Sequence, residues 1–128
     1  MKQRVLFIGT NNAARTQMAE GYLRARYGDR YEACSAGTAP TALDPLAARV
    51  MDEIGASISE RRAKDIAPFD DREVDYAVVL CAGGVCPFFP WVKEMIHVDF
   101  PDPTKVLAAY RRSRDAIAAW IDGWFGGK

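Results

Sequence analysis

Four consecutive apolar residues, Val5-Leu6-Phe7-Ile8, are followed from Ala14 to Tyr27 by apolar residues at helical spacing. An unbroken β-rich run without alternation reads as a strand buried on both faces. Such a strand needs a partner on each side and cover above and below. The helical stretch that follows, with Met18, Tyr22 and Ala25 on one face beside Ala19 and Leu23, supplies the first piece of cover. This strand-to-helix change of period constrains the chain to the α/β class before any other segment is considered.

The same alternation continues. Tyr31 to Cys34 predicts a second strand, stopped by Ser35-Ala36-Gly37. Asp44-Pro45 reads as N-cap and first helical position of a helix with Leu46, Val50, Met51 and Ile54 inside and Gly55 past its end. Residues 59–73 are charged and predict a short helix or irregular turns. Tyr76 to Leu80 is the clearest strand, Met95 to Val98 a weaker fourth, and a last helix is expected from about Thr104 to Phe125, with Val106, Tyr110, Ile117, Ile121 and Trp124 at helical spacing. The prediction is a single domain over residues 1–128: a four-stranded parallel sheet with helices on both faces, crossovers right-handed and ligands at the carboxyl ends of the strands.

Composition narrows the function classes. Lys plus Arg and Asp plus Glu both total 17, so no global field favours nucleic acid or an anionic membrane. No apolar run approaches the ~20 residues that span a bilayer, and the N-terminal run is short for a signal peptide, which predicts a cytoplasmic protein. Three cysteines do not make a secreted disulfide framework.

The segment Gly9-Thr10-Asn11-Asn12-Ala13-Ala14-Arg15-Thr16 leaves the first strand and enters the first helix. Small residues and two Asn tolerate left-handed backbone angles, so successive N–H groups can turn inward as an anion nest at a helix N-terminus. Arg15 suits bidentate capture of a phosphate-like ligand. The competing reading is an ordinary βα turn with a solvated arginine. A nucleotide P-loop is not supported, since Gly-x4-Gly-Lys-Ser/Thr is absent from the sequence.

The run from Val5 to Gly21 resembles the start of the low-molecular-weight protein tyrosine phosphatases and of the arsenate reductases built on the same fold. In that family the loop reads Cys-x5-Arg-Ser/Thr, followed in the reductases by Gln-Met-Ala-Glu-Gly, as in Gln17 to Gly21 here. Ser35-Ala36-Gly37 matches a second block and Asp102-Pro103 the general-acid Asp-Pro. The resemblance runs in order over nearly the whole chain and implies a flavodoxin-like three-layer sandwich. Thr104-Lys105 after Asp-Pro, where phosphotyrosine phosphatases place aromatics, and the pair Cys81 and Cys86 after the third strand favour the arsenate-reductase branch.

What the resemblance implies residue by residue is as follows. Thr10, Asn11, Asn12, Ala13, Ala14, Arg15 and Thr16 would hold an arsenate or phosphate-like oxyanion, with the Thr16 hydroxyl beside the nucleophile. Asp102 would protonate the leaving oxygen. Cys81 would attack the arsenic-bound nucleophile, and Cys86 would resolve the disulfide for thioredoxin or another thiol reductant to reset. Ser35 would brace the loop through Asn12, and no organic cofactor is expected. Asn12, Glu20, Ser35 and Asp65 resemble a monovalent-cation site; Glu20 and Asp65 also read as surface charges.

Position 9 departs from the pattern. The family's thiolate nucleophile opens the loop, and this chain has Gly9 there. Glycine cannot perform the covalent first step, and Thr10 and Thr16 lack an evident base. Three explanations stand: an engineered ligand-trapping change, a natural oxyanion-binding protein, or a chain in which Cys81 or Cys34 takes over. Each cysteine also reads as buried filler. A zinc site would have only His97 and distant Cys34 to complete it, and His97 reads as a structural strand histidine. Trp91 with Phe88 and Phe89 could rim the site or anchor a loop. Trp120 and Trp124 read as core or interface, and Arg111-Arg112-Ser113-Arg114 as a solvated helix face. Two function classes follow: an arsenate reductase-like enzyme, and a non-catalytic oxyanion- or phospho-ligand-binding module, with an inactivated phosphatase as a third reading.

Overall fold

The computed structural model describes residues 3–9, 14–37, 43–58, 74–80, 92–98 and 106–126. They form β1 (Gln3–Gly9), α1 (Arg15–Tyr27), β2 (Tyr31–Gly37), α2 (Pro45–Asp52), β3 (Val74–Val79), β4 (Val92–His97) and α3 (Leu107–Phe125). The strands make one four-stranded sheet in the order β2-β1-β3-β4, with every pairing parallel. The expected parallel α/β sheet is therefore present. β1 is central, and Val5, Leu6, Phe7 and Ile8 are fully buried, as an apolar run without alternation requires.

Side chains alternate across the sheet and sort into two apolar clusters. Val5, Phe7 and Val78 pack with Met18 and Leu23 of α1, Val50 and Met51 of α2, and Tyr110, Ile117, Ile121 and Phe125 of α3. Leu6, Ile8, Ala36, Ala77 and Val79 form the opposite cluster, with Cys34, Val92 and Met95 against it. All three described helices thus serve one face. The short helix or irregular turns expected over residues 59–73 lie outside the described residues.

Local chemistry sets the element ends. Asp44 caps α2 by accepting the Leu46 N–H at 2.9 Å, Pro45 takes the first helical position, and Gly55 leaves the turn beyond it with φ +74°. The Asp44 carboxylate also accepts from the buried Tyr110 hydroxyl, which ties α2 to α3. Asp122 of α3 accepts from the hydroxyls of Tyr22 (2.9 Å) and Tyr27 (2.6 Å), tying α3 to α1. Burial and that carboxylate push the Tyr22 hydroxyl up to about 12. Phe125 closes the sheet end, edge-on to Tyr31 and Tyr76 with ring centroids 5.0 and 5.6 Å away.

Several expectations are corrected. β2 does not stop at Ser35 but continues through Gly37, because Phe7, Ile8 and Gly9 pair with Ser35, Ala36 and Gly37. Ala25 lies on the exposed side of α1. Ile54 is 42% exposed because α2 ends before it, and Val106 is 58% exposed as the N-cap of α3 rather than part of its inner face. Arg111 and Arg114 are not merely solvated: both grip Glu53, at 2.6 and 2.9 Å, and Arg114 also donates to the Val50 carbonyl. Trp120 and Trp124 are half-buried against the main core.

Candidate functional site

The strand order places a switch in the chain's course beside β1. After β1 the chain goes to β2 on one side, then returns to β3 on the other. The carboxyl ends of β1 and β3 flank this switch, the place where open parallel sheets form ligand crevices. β1 ends at Gly9 and α1 begins at Arg15, so the segment between them emerges at this switch. The Leu80 N–H donates to the Ile8 carbonyl at 2.8 Å, so the residue preceding Cys81 lies beside the end of β1.

The start of α1 is suited to an anion. Its N-cap is Ala14, which has no side-chain acceptor, and no acidic residue occupies the first turn. The first turn thus brings no carboxylate of its own to the positive end of the helix dipole. Arg15 is half-buried at the first helical position, and Thr16 beside it is 3% exposed.

Thr16 faces position 9. Gly9 is buried, and a Cβ built on it would lie 2.9 Å from the Thr16 methyl carbon Cγ2 and 3.9 Å from its hydroxyl Oγ1. The loop's two ends thus meet through this residue pair. Gly9 itself is not in the left-handed region, which among the described glycines only Gly55 occupies.

Behind the loop lies a buried polar brace. Ser35, fully buried, donates its hydroxyl to Glu20 Oε1. Glu20 is 2% exposed, and its Oε2 is paired with Arg24 Nη2 at 2.6 Å; the same guanidinium donates to the Ala33 carbonyl at 2.9 Å. Glu20 is therefore no surface charge, and Ser35 is fixed by α1. Of the residues that resemble a monovalent-cation site, Glu20 and Ser35 meet here, with the Arg24 guanidinium on the same carboxylate, while Asn12 and Asp65 lie outside the described residues. Arg24 is the residue that sequence reasoning missed. Its signal was Glu20 four positions ahead, the favourable order for an i,i+4 pair.

Cys34 lies on the sheet face away from α1. It packs there with Leu6, Ile8 and Ala36. Burial pushes its thiol up, with Glu32 and Glu20 adding to the shift, the reverse of what a nucleophile needs. His97 is exposed at the end of β4. Thr10, Asn11, Asn12, Ala13, Asp65, Cys81, Cys86 and Asp102 lie outside the described residues, as do Phe88, Phe89 and Trp91.

A four-stranded parallel sheet in this order, with an arginine opening the helix that follows its central first strand, defines an open α/β domain with a crevice at the carboxyl ends of its strands. The particular family is settled by sequence: the low molecular weight phosphotyrosine protein phosphatase profile matches residues 4–125, and the chain belongs to that family. Among its relatives, the arsenate reductase of Halalkalibacterium halodurans is 38% identical over 129 aligned residues, covering 94% of this chain and 93% of the relative. The arsenate reductase of Bacillus licheniformis is 34% identical over the same coverage. A solved arsenate reductase in the phosphate binding state superposes with TM-score 0.89 at 25% identity, covering 98% of both chains. The low molecular weight protein tyrosine phosphatase of T. tengcongensis superposes with TM-score 0.80 at 26% identity, covering 99% of this chain and 100% of that one.

Proposed function

We propose that this chain is an arsenate reductase-like protein that binds arsenate or phosphate-like oxyanions in its 9–16 loop. Cys81 and Cys86 are its redox pair, and Gly9 has removed the family's covalent first step. The observation that carries the reading is the start of α1, where the N-cap Ala14 makes no side-chain cap bond, the first turn holds no acid, and Arg15 is the first helical residue after β1 and the segment that follows it. Amides of the loop and the Arg15 guanidinium grip the anion. The thiol pair supplies two electrons: an arsenate accepting them leaves as arsenite with loss of one oxygen as water, and the pair becomes a disulfide. Thioredoxin or another dithiol returns it to the reduced state. Asp102 is the proton donor to the departing oxygen.

The test is a titration with phosphate and with arsenate, read by amide NMR shifts over residues 10–16 and by calorimetry. Each charge-assisted hydrogen bond is worth about 1.5–3 kcal/mol, so Arg15→Ala lowers affinity by at least about tenfold. If the amides of residues 10–16 do not move, the reading is wrong. Turnover with a dithiol reductant then separates the two functional classes. Reduction that is abolished by Cys81→Ser shows that this thiol acts without a residue-9 nucleophile, a reading favoured by the Leu80–Ile8 bond that brings the chain before Cys81 to the end of β1. Binding without turnover makes the protein a non-catalytic oxyanion module.

A further inference from the structure

A buried carboxylate works against anion capture at the start of α1. Glu20 is 2% exposed and lies in the same helix that Arg15 opens. The rise from Arg15 to Glu20 is about 7.5 Å. An uncompensated carboxylate at roughly 10 Å from a bound anion, across a poorly screened path, weakens its binding by about tenfold. Yet Glu20 is held inside. One oxygen accepts the Ser35 hydroxyl, and the other meets Arg24 Nη2 at 2.6 Å. The same Arg24 nitrogen donates to the Ala33 carbonyl at 2.9 Å.

These contacts run in a line. Thr16, Glu20 and Arg24 recur at four-residue spacing and share one face of α1. Thr16 meets position 9 at the end of β1. Ala33 and Ser35 belong to β2, where Ser35 pairs with Phe7, shortly before Gly9. The line therefore fixes α1 against the two strands at the level where β1 ends. We infer that Arg24 is a positioning residue for the oxyanion loop. Its guanidinium cancels the Glu20 charge, so a carboxylate can lock α1 to β2 without repelling the anion. Arg24 acts through Glu20, not by contact with the ligand. The inference rests on the oxyanion-loop reading and adds to it a residue that governs affinity from behind.

The experiment titrates inorganic phosphate into the full chain at fixed pH and ionic strength, well below each variant's unfolding transition. Calorimetry reads the affinity. Arg24→Met should bind phosphate about tenfold more weakly than the native chain. Glu20→Gln keeps an oxygen for Ser35 and removes the charge. Added to Arg24→Met, it should regain at least about threefold in affinity. Arg24→Lys keeps the charge without the planar fork and should lose less than Arg24→Met. Glu53→Gln breaks the clamp from α2 to α3 and serves as the stability control. It should lower the melting temperature and leave phosphate affinity unchanged. Rescue by an uncharged residue at position 20 is what a merely structural Arg24 would not give.

A loss of less than about threefold in Arg24→Met overturns the inference, as does a double variant that regains less than about threefold. If Arg24→Met does not fold, Arg24→Gln takes its place with the same outcomes. Failure of both to fold, with and without Glu20→Gln, overturns it too, since Arg24 would then serve the fold itself. Where only the double variant folds, affinity within about threefold of native supports the inference, and weaker binding overturns it. A native chain that binds no phosphate refutes the oxyanion reading and this inference with it. Native binding that is indifferent to Arg24 overturns the inference alone.

Discussion

Replacing Arg24 with methionine isolates the brace behind the loop. The change keeps most of the aliphatic stem and removes the guanidinium that contacts Glu20 at 2.6 Å and the Ala33 carbonyl at 2.9 Å. Removing one partner of a fully buried ion pair costs about 3–5 kcal/mol, because the other charge stays behind. Glu20 is buried, but the Arg24 side chain is 38% exposed, so water offsets part of that loss. The expected destabilisation is therefore about 2–3 kcal/mol. In a domain of this size each kcal/mol shifts the melting temperature by about 3–5 °C, which gives a fall of roughly 6–15 °C.

Urea unfolding followed by tryptophan fluorescence gives the free energies directly. The decisive comparison is a double-mutant cycle with Glu20→Gln, whose amide oxygen still accepts from Ser35 but carries no charge. If the Arg24 cost comes from a stranded carboxylate, Arg24→Met in the Glu20→Gln background should cost at least about 1 kcal/mol less than in the native one. A cost within about 0.5 kcal/mol of zero for Arg24→Met, or strict additivity in the cycle, would refute the brace.

Two further outcomes test the frame around the site. Glu53 is held at about 2 rather than its ordinary 4.5, first by its hydrogen bonds from Arg111 and then by those from Arg114. A depressed folded-state value contributes stability above the ordinary range and loses it as pH falls. The melting-temperature gap between the native chain and Glu53→Gln should thus be widest above pH 5 and close between 4.5 and 2; a gap constant with pH contradicts this clamp. Gly21→Ala sets helix propensity against packing. Alanine gains up to about 1 kcal/mol in a helix, but its Cβ would lie 2.5 Å from Ile58 Cγ2 and 3.3 Å from the Ala56 carbonyl oxygen. Overpacking of about 1–3 kcal/mol outweighs it, and thermal unfolding should show a net loss of up to about 2 kcal/mol; a more stable variant rules that contact out.

The parts of the fold that the sequence made legible are those set by nearest neighbours. Val5 to Ile8 is buried without alternation, Asp44-Pro45 caps and opens α2, and Gly55 is left-handed, all of which depend on residues within one turn. Ser35 to Gly37 looked like a strand stop because small residues favour turns, yet pairing with β1 keeps them in the sheet. Tertiary pairing decides such cases over local propensity. The same distinction governs the site. The family motif singled out Gly9, Arg15 and Thr16 as candidate site positions. Nothing within α1, by contrast, showed that Glu20 would be buried, since that depends on Ser35 in β2. Cys34 could not be assigned a face until β2 had its register, which turns it away from α1 and Ser35 toward it.

The contact between positions 9 and 16 also bears on how such a chain changes over generations. Neither residue belongs to the apolar clusters that hold the sheet and helices together. A change at position 9 therefore leaves the fold's main support intact. The opening of the loop and the stability of the domain are thus held by different residues, so either can change while the other is kept.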